Sequence, residues 1–322
     1  MPRIAIVDKL HDDGIKLLKD NPKFDFDIIE DLSKENLISK LPAYDGITLR
    51  RGNLDREILE KCKNLKVVSR HGVGYDNVDI KFLREKKIKL LITATTTSIS
   101  PAEHIMFMII SISKGKDLFD KTVRNGDWKT NSIMKLQTNN NFELANKKIL
   151  IIGFGRIGKK LIKRCLGFDM KVNVFDPYVD QKIIKSFGGH KVNTLEEGLK
   201  EANIISLSVP LTDETYHMIN LQKIKMMKKN AIIINTSRGS VIKESDLNKA
   251  LDENLIFGAG LDVFEKEPPD NDNPLLKNKK VFLSPHSATF TKECSASMGI
   301  QTVQNIIDFF ENKLNDIMVV KL

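Results

Sequence analysis

Short continuous apolar runs recur along the chain, separated by stretches whose apolar residues repeat at helical spacing. Runs closed off by turn residues read as buried strands, and the periodic stretches as amphipathic helices. Strands are expected over 4–7, 26–29, 46–49, 66–69 and 88–93, with helices over 14–19, 34–40 and 56–61 between them. Further strands are expected over 149–152, 171–175, 204–209, 231–235, 257–263 and 280–283. A last helix is expected over 291–312, with Val303, Ile306, Ile307 and Phe310 on one stripe. Strands alternating with helices predict an α/β fold with parallel sheets. Ligands in such sheets gather beyond the carboxyl ends of the strands. Ser100-Pro101-Ala102-Glu103 reads as a helix start, with Ser100 as cap and Glu103 completing a capping box. The helix that follows is apolar on almost every side from Ile105 to Ile110, which predicts burial between domains, between subunits, or both. Asn139–Asn141 reads as an exposed loop.

At 322 residues, 41% of them hydrophobic, the chain can hold two domains, each with its own core. The net charge of +9 comes mostly from lysine spread over every segment, without a nucleic-acid-binding motif. It reads as a solvated surface with a modest pull on anionic substrates, and no nucleic-acid partner is expected. The longest apolar stretch is too short to span a membrane, and the N-terminus has no signal-peptide core. Cys62, Cys165 and Cys294 have neither metal-ligand nor disulfide spacing, so no metal is expected and a reducing cytoplasm is the simplest home.

Residues 148–176 read KILIIGFGRIGKKLIKRCLGFDMKVNVFD. A strand enters a turn at Gly153, Gly155 and Gly158, a helix opens, and a second strand ends in Asp176. Asp176 follows Gly158 by 18 residues, where an acid can take both ribose hydroxyls of a dinucleotide. The helix N-terminus offers free N–H groups and a partial positive charge to the phosphates. A carboxylate repels a 2′-phosphate, and Pro177 and Tyr178 supply no arginine for one, so NAD is favoured over NADP.

Three later strands end in Thr236-Ser237-Arg238-Gly239, in Phe264-Glu265-Lys266-Glu267 and in Ser284-Pro285-His286. In one parallel sheet these ends share an edge with the glycine turn. A histidine there suits proton transfer coupled to hydride transfer, a glutamate orients the imidazole, and an arginine grips a carboxylate with two parallel bonds. Taken singly, each has a plainer reading: Glu267 as surface charge, Arg238 as a cap or phosphate contact, His286 as a core residue. Their joint placement makes Arg238, Glu267 and His286 the candidate catalytic set.

The chain resembles the D-isomer-specific 2-hydroxyacid dehydrogenases, the family of phosphoglycerate dehydrogenases and hydroxypyruvate or glyoxylate reductases. The motifs are VVSRHGVGYDNVD (67–79), PAEH (101–104), GFGRIG (153–158), VPLTDET (209–215), INTSRGSV (234–241), GAGLDVFEKEP (258–268) and SPHSA (284–288). The resemblance implies a doubly wound NAD-binding Rossmann domain, residues 99–286, inserted in a smaller flavodoxin-like substrate domain, residues 1–98 plus 287–322. It implies Arg238 on the substrate carboxylate and carbonyl, His286 as acid–base group, Glu267 as its partner and Asp262 on the nicotinamide amide. It further implies Arg156 and Ile157 at the pyrophosphate, Val209, Pro210 and Thr215 on the adenine side, and Thr236, Ser237 and Ala288 on the nicotinamide side. The backbone at Val73 and Gly74 would meet the substrate carboxylate, and Arg50 and Arg70 match arginines that some relatives aim at a distal anionic group. A homodimer is implied, and a chain without the C-terminal regulatory domain of longer phosphoglycerate dehydrogenases. Three departures stand out: Ser287-Ala288-Thr289-Phe290 replaces a glycine-rich run, Lys243 stands where an acid is usual, and Thr95-Thr96-Thr97-Ser98 replaces an Asn/Gly-containing loop. The expected substrate is a small anionic 2-hydroxy or 2-oxo acid, 3-phosphoglycerate-like first. Hydroxypyruvate or glyoxylate reduction is the alternative, and a non-enzymatic NAD-sensing corepressor the weaker one.

Overall fold

The computed structural model describes residues 1–128 and 141–321. Of the loop expected at Asn139–Asn141, only Asn141 falls within the described residues. The chain divides into two compact units, Met1–Thr97 with Thr289–Leu322, and Ser98–Ala288.

The first unit holds five strands, β1 (Arg3–Val7), β2 (Asp25–Ile29), β3 (Gly46–Leu49), β4 (Val67–Arg70) and β5 (Lys89–Ile92). They pair in parallel in the order β2-β1-β3-β4-β5. Both faces of the central strands are buried, which is why they read as unbroken apolar runs rather than alternating ones. The C-terminal helix Lys292–Phe310 packs along the helix Asp12–Lys19. Their backbones touch, for a Cβ on Gly14 would fall 2.3 Å from Gly299 O. One helix absent from the sequence reading, Ile80–Lys86, starts at Asp79, whose side chain accepts from Phe82 N at 2.9 Å.

The second unit holds seven strands, β6 (Lys148–Ile152), β7 (Lys171–Phe175), β8 (His190–Lys191), β9 (Ile204–Leu207), β10 (Ile232–Asn235), β11 (Gly258–Leu261) and β12 (Val281–Leu283). All pair in parallel, in the order β12-β11-β10-β9-β6-β7-β8. The winding reverses at β6, between β7 and β9, where sheets of this kind open a crevice at their carboxyl edge. Both strands β9 and β10 are wholly buried.

The helix Ile99–Ser113 departs from the expected start. Ser98, not Ser100, occupies the cap position, and its side chain makes no capping bond. Ser100 already lies within the helix, where its hydroxyl donates to Ala288 O at 2.6 Å. Glu103 accepts from Arg164 Nη2 at 2.6 Å instead of closing a capping box. Both side chains have better partners on neighbouring segments than on their own backbone. Ala102, Ile105, Met108 and Ile109 are completely buried, but Phe107 is 47% exposed, so burial on all sides does not hold within this chain. Among the described residues, no helix is long and apolar enough to cross a membrane.

Candidate functional site

The glycine turn after β6 is built by close approach. Gly153 has φ +93°, and a Cβ there would lie 2.5 Å from Ser208 O. A Cβ on Gly158 would lie 2.5 Å from Gly153 O, so the helix Arg156–Gly167 starts directly against the turn. Nothing lies within 4 Å of the position a Gly155 Cβ would take. Gly155 caps that helix with no side-chain acceptor, leaving its first N–H groups to an outside anion. Arg156 is exposed and Ile157 partly so. At the end of β7, Asp176 Oδ2 accepts from Phe154 N at 2.7 Å, and its Oδ1 from Tyr178 N at 2.9 Å. The acid thereby sits on the glycine turn itself. Tyr178 OH donates to Glu214 Oε2 at 2.9 Å, and Thr215 Oγ1 donates to Pro210 O at 2.6 Å, folding the loop that follows Val209. Among the described residues, Ser208 Oγ beside Gly153 is buried with no hydrogen-bond partner. Turn, uncapped helix and acid together fit a dinucleotide.

At the end of β10, buried Asn235 shapes the next three residues. Its Oδ1 accepts from Ser237 N at 3.0 Å and from Ser237 Oγ at 2.8 Å, and its Nδ2 donates to Arg238 O at 2.9 Å. Thr236 and Arg238 are partly buried, and Arg238 Nη1 donates to Ser237 O at 2.7 Å. Gly239 presses on the segment after β11, since a Cβ there would fall 1.8 Å from the Phe264 carbonyl carbon.

That segment carries Glu267, and the segment after β12 carries His286. Glu267 Oε2 lies 2.7 Å from His286 Nδ1, while its Oε1 accepts from Phe264 N at 3.1 Å. Burial disfavours the Glu267 carboxylate. The His286 hydrogen bond and charge, the Phe264 N–H and the Arg238 charge outweigh it and hold the pKa below the usual value. The His286 side chain is 51% exposed, and Nε2 is the ring nitrogen that Glu267 does not take. His286 itself sits at φ +50°.

Asp262, fully buried, holds this loop. Its oxygens accept from Ser287 N at 2.8 Å, from Ala288 N at 2.9 Å and from Ser284 Oγ, and its backbone carbonyl accepts from His286 N at 2.7 Å. Burial again opposes the charge, but hydrogen bonds from His104, Ser284, Ser287 and Ala288 outweigh it and lower the Asp262 pKa. Asp262 therefore faces the loop rather than open space.

In the first unit, Arg50 Nη1 lies 3.4 Å from Asp8 Oδ2 and 3.3 Å from Lys9 O. Arg51 takes both Asp8 oxygens, at 2.6 and 3.1 Å. Arg70 donates to Asn77 Oδ1 at 3.1 Å, to Leu49 O at 3.2 Å and to His71 O at 2.8 Å, which shapes the loop bearing Val73 and Gly74. Val73 is 40% exposed. Burial, then the charges of Arg50 and Arg70, push the His71 pKa down to about 4.

The sequence brings Arg238, Glu267 and His286 to one sheet edge but gives no role to Asn235, His71, His104 or Ser284. Asn235 had a readable signal, as a polar residue closing a fully buried strand. Among the described residues, no group of His, Cys, Asp or Glu is arranged to hold a metal ion. The edge offers an anion grip, an acid–base imidazole with a carboxylate behind it, and a dinucleotide turn.

Residues 106–288 match the model of the D-isomer specific 2-hydroxyacid dehydrogenase NAD binding domain. Over 99% of its length the chain is 35% identical to the D-3-phosphoglycerate dehydrogenase of Methanocaldococcus jannaschii, of which it spans 59%. It is equally 35% identical, over 97% of its length, to the glyoxylate reductase of Thermococcus litoralis, of which it spans 95%. The structure of Aquifex aeolicus D-lactate dehydrogenase complexed with NAD and lactic acid superposes with a TM-score of 0.84. The two chains are 28% identical, with 96% of each covered.

Proposed function

The chain belongs to the D-isomer specific 2-hydroxyacid dehydrogenase family, and on that premise we propose that it interconverts a small 2-hydroxy acid and its 2-oxo acid with NAD(H). The observation that carries this reading is the 2.7 Å His286–Glu267 pair on the sheet edge that also carries Arg238. Gly153, Gly155, Arg156, Ile157 and Gly158 would hold the pyrophosphate of NAD, Asp176 its adenosine ribose, and Val209, Pro210 and Thr215 its adenine. Thr236, Ser237, Ala288 and the loop clasped by Asp262 would border the nicotinamide. Bound NADH supplies the hydride.

In the reducing direction, Arg238 holds the substrate carboxylate and draws charge onto the carbonyl oxygen. His286 gives that oxygen a proton from Nε2 and becomes neutral. Glu267 accepts from Nδ1, which fixes the ring with Nε2 toward the reacting oxygen. In oxidation the same imidazole takes the hydroxyl proton.

For the substrate we propose an acid with a second anionic group, 3-phosphoglycerate-like. Arg50 and the Val73–Gly74 backbone in the first unit are the groups assigned to its anionic parts, with Arg70 shaping the loop that carries Val73 and Gly74. Hydroxypyruvate or glyoxylate reduction is the second reading, favoured by the near-complete span of the glyoxylate reductase relative. A homodimer through the second unit is proposed as well, supported by Phe107, a large apolar side chain 47% exposed on a mostly apolar helix. A panel of 2-oxo acids with NADH, including 3-phosphohydroxypyruvate, hydroxypyruvate, glyoxylate and pyruvate, tests the reading. Consumption of NADH with the dianionic acid ahead of the others supports it; consumption with none of them refutes it.

A further inference from the structure

The helix Ile99–Ser113 reaches the His286 loop through two side chains that the proposed reaction leaves without a task. Ser100 Oγ donates to Ala288 O, and His104 Nε2 lies 2.9 Å from Ser284 Oγ. A serine hydroxyl has a single proton, and an ionised carboxylate can only accept. Ser284 therefore donates to Asp262 Oδ1 and accepts from His104, which requires the proton of His104 on Nε2. The same N–H faces the Asp262 charge, 3.5 Å from Oδ1. The Asp262 carboxylate in turn receives the N–H groups of Ser287 and Ala288, and its main-chain carbonyl that of His286. His286 stands at φ +50°, a conformation that a non-glycine residue keeps only where its surroundings hold it. Three successive N–H groups closed onto one buried aspartate provide that hold.

We propose that His104 is a positioning residue: its Nε2–H fixes the Ser284 hydroxyl toward Asp262, and Asp262 so fixed aims His286 at the substrate carbonyl. The proposal rests on His286 being the acid–base group. His104 touches neither substrate nor cofactor in this account. Its ring also packs beside Phe107, with centroids 5.8 Å apart, so the test has to separate hydrogen bonding from filling of space.

The test compares His104→Phe and Ser284→Ala, which remove the link, with His104→Gln and Ser284→Thr, which keep a donor or a hydroxyl. Two readouts are taken on the full chain with NADH bound: steady-state turnover, and the imidazole NMR resonances of His286. The first pair should lose about ten- to a hundredfold in kcat, the scale of a misaimed reacting group. Their KM and NADH Kd should stay within about twofold of wild type. The His286 Nδ1 proton, bonded to Glu267, should broaden or vanish in the first pair and persist in the second. The double variant should be no slower than the slower single variant, because both cut one chain of contacts. Unchanged turnover and an unchanged His286 resonance in His104→Phe would overturn the proposal. So would an equal loss in His104→Gln and His104→Phe, which would mark His104 as packing alone. If wild type consumes NADH with no 2-oxo acid, the proposed reaction fails. The His286 resonance still decides the positioning claim. Ser284→Ala, the smallest change, keeps the test valid if His104→Phe does not fold.

Discussion

His286 Nδ1 and Glu267 Oε2 stand 2.7 Å apart, although they lie 19 positions apart in the chain with the whole of β12 between them. Glu267 is fixed from behind by Phe264 N, so the carboxylate orients the imidazole and not the reverse. The His286 hydrogen bond and charge help hold the Glu267 pKa below its usual value, so a carboxylate charge faces Nδ1. Glu267→Gln keeps the shape and removes the charge. The pH–rate profile of this variant should therefore shift, with little change in substrate KM. A pH–rate profile of kcat/KM checks this; an unmoved profile would separate Glu267 from the proton transfer.

The acid at the end of β7 should decide the cofactor. Asp176 is held on the glycine turn by Phe154 N, where a 2′-phosphate would meet its charge. NAD(H) should be strongly preferred over NADP(H), and Asp176→Ala should narrow the gap. Matched kcat/KM measurements with both cofactors check it, and equal native activity with the two would sink the assignment.

Arg50 and Arg70 should behave differently when each is replaced by alanine. Arg70 holds Leu49 O, His71 O and Asn77, so its loss should loosen the loop and slow every substrate alike. Arg50 meets Asp8 at the longer distance of 3.4 Å and should matter chiefly for a second anionic group. For a dianionic acid, losing one charge-assisted contact should cost about 1.5–3 kcal/mol, roughly ten- to a hundredfold in kcat/KM. Glyoxylate serves as the control, and equal losses for both substrates with Arg50→Ala would remove Arg50 from substrate selection.

Acid should weaken the fold through His71. Its folded pKa, about 4, lies below the ordinary histidine value of 6.5, so the unfolded chain binds the proton more readily. Stability should be full above about pH 6.5 and decline as the pH falls toward 4. His71→Gln should flatten that part of the curve. Urea unfolding across this range gives the slope, and an identical slope in the variant would contradict the assignment.

Much of this was legible in local pattern. The turn at Gly153, Gly155 and Gly158 and the acid at Asp176 lie within one strand–helix–strand unit, and their spacing alone carries the meaning. The strands could be read because the central strands of both sheets are buried on two faces. What escaped was set by contacts between distant residues. The Ser100 hydroxyl finds its acceptor 188 positions away and His104 finds Ser284 180 away, so no helix-start rule could place them. The helix Ile80–Lys86 was hidden by its charged residues, and β8 is only two residues long. The exposure of Phe107 shows the limit of composition, since an apolar helix says nothing of which side is covered.

Gly239 ties the arginine segment to the glutamate segment by contact of main chains, and Gly239→Ala should separate them. The added Cβ would lie 1.8 Å from the Phe264 carbonyl carbon, so one backbone has to move. The cost should be about 1–3 kcal/mol, the range for overpacking, with turnover falling further than the loss of folded protein explains. Denaturant melts paired with kcat on the folded fraction check it; native stability and rate together would contradict the tight fit.

The central claim is that His286 moves the proton while hydride passes between NAD(H) and a 2-oxo acid. The most direct measurement is single-turnover oxidation of bound NADH by a 2-oxo acid, in wild type and in His286→Ala. The account predicts a rate about 10²- to 10⁴-fold lower in the variant with NADH binding retained, as for loss of a positioned acid–base group. Near-native single-turnover rates without His286 would contradict it.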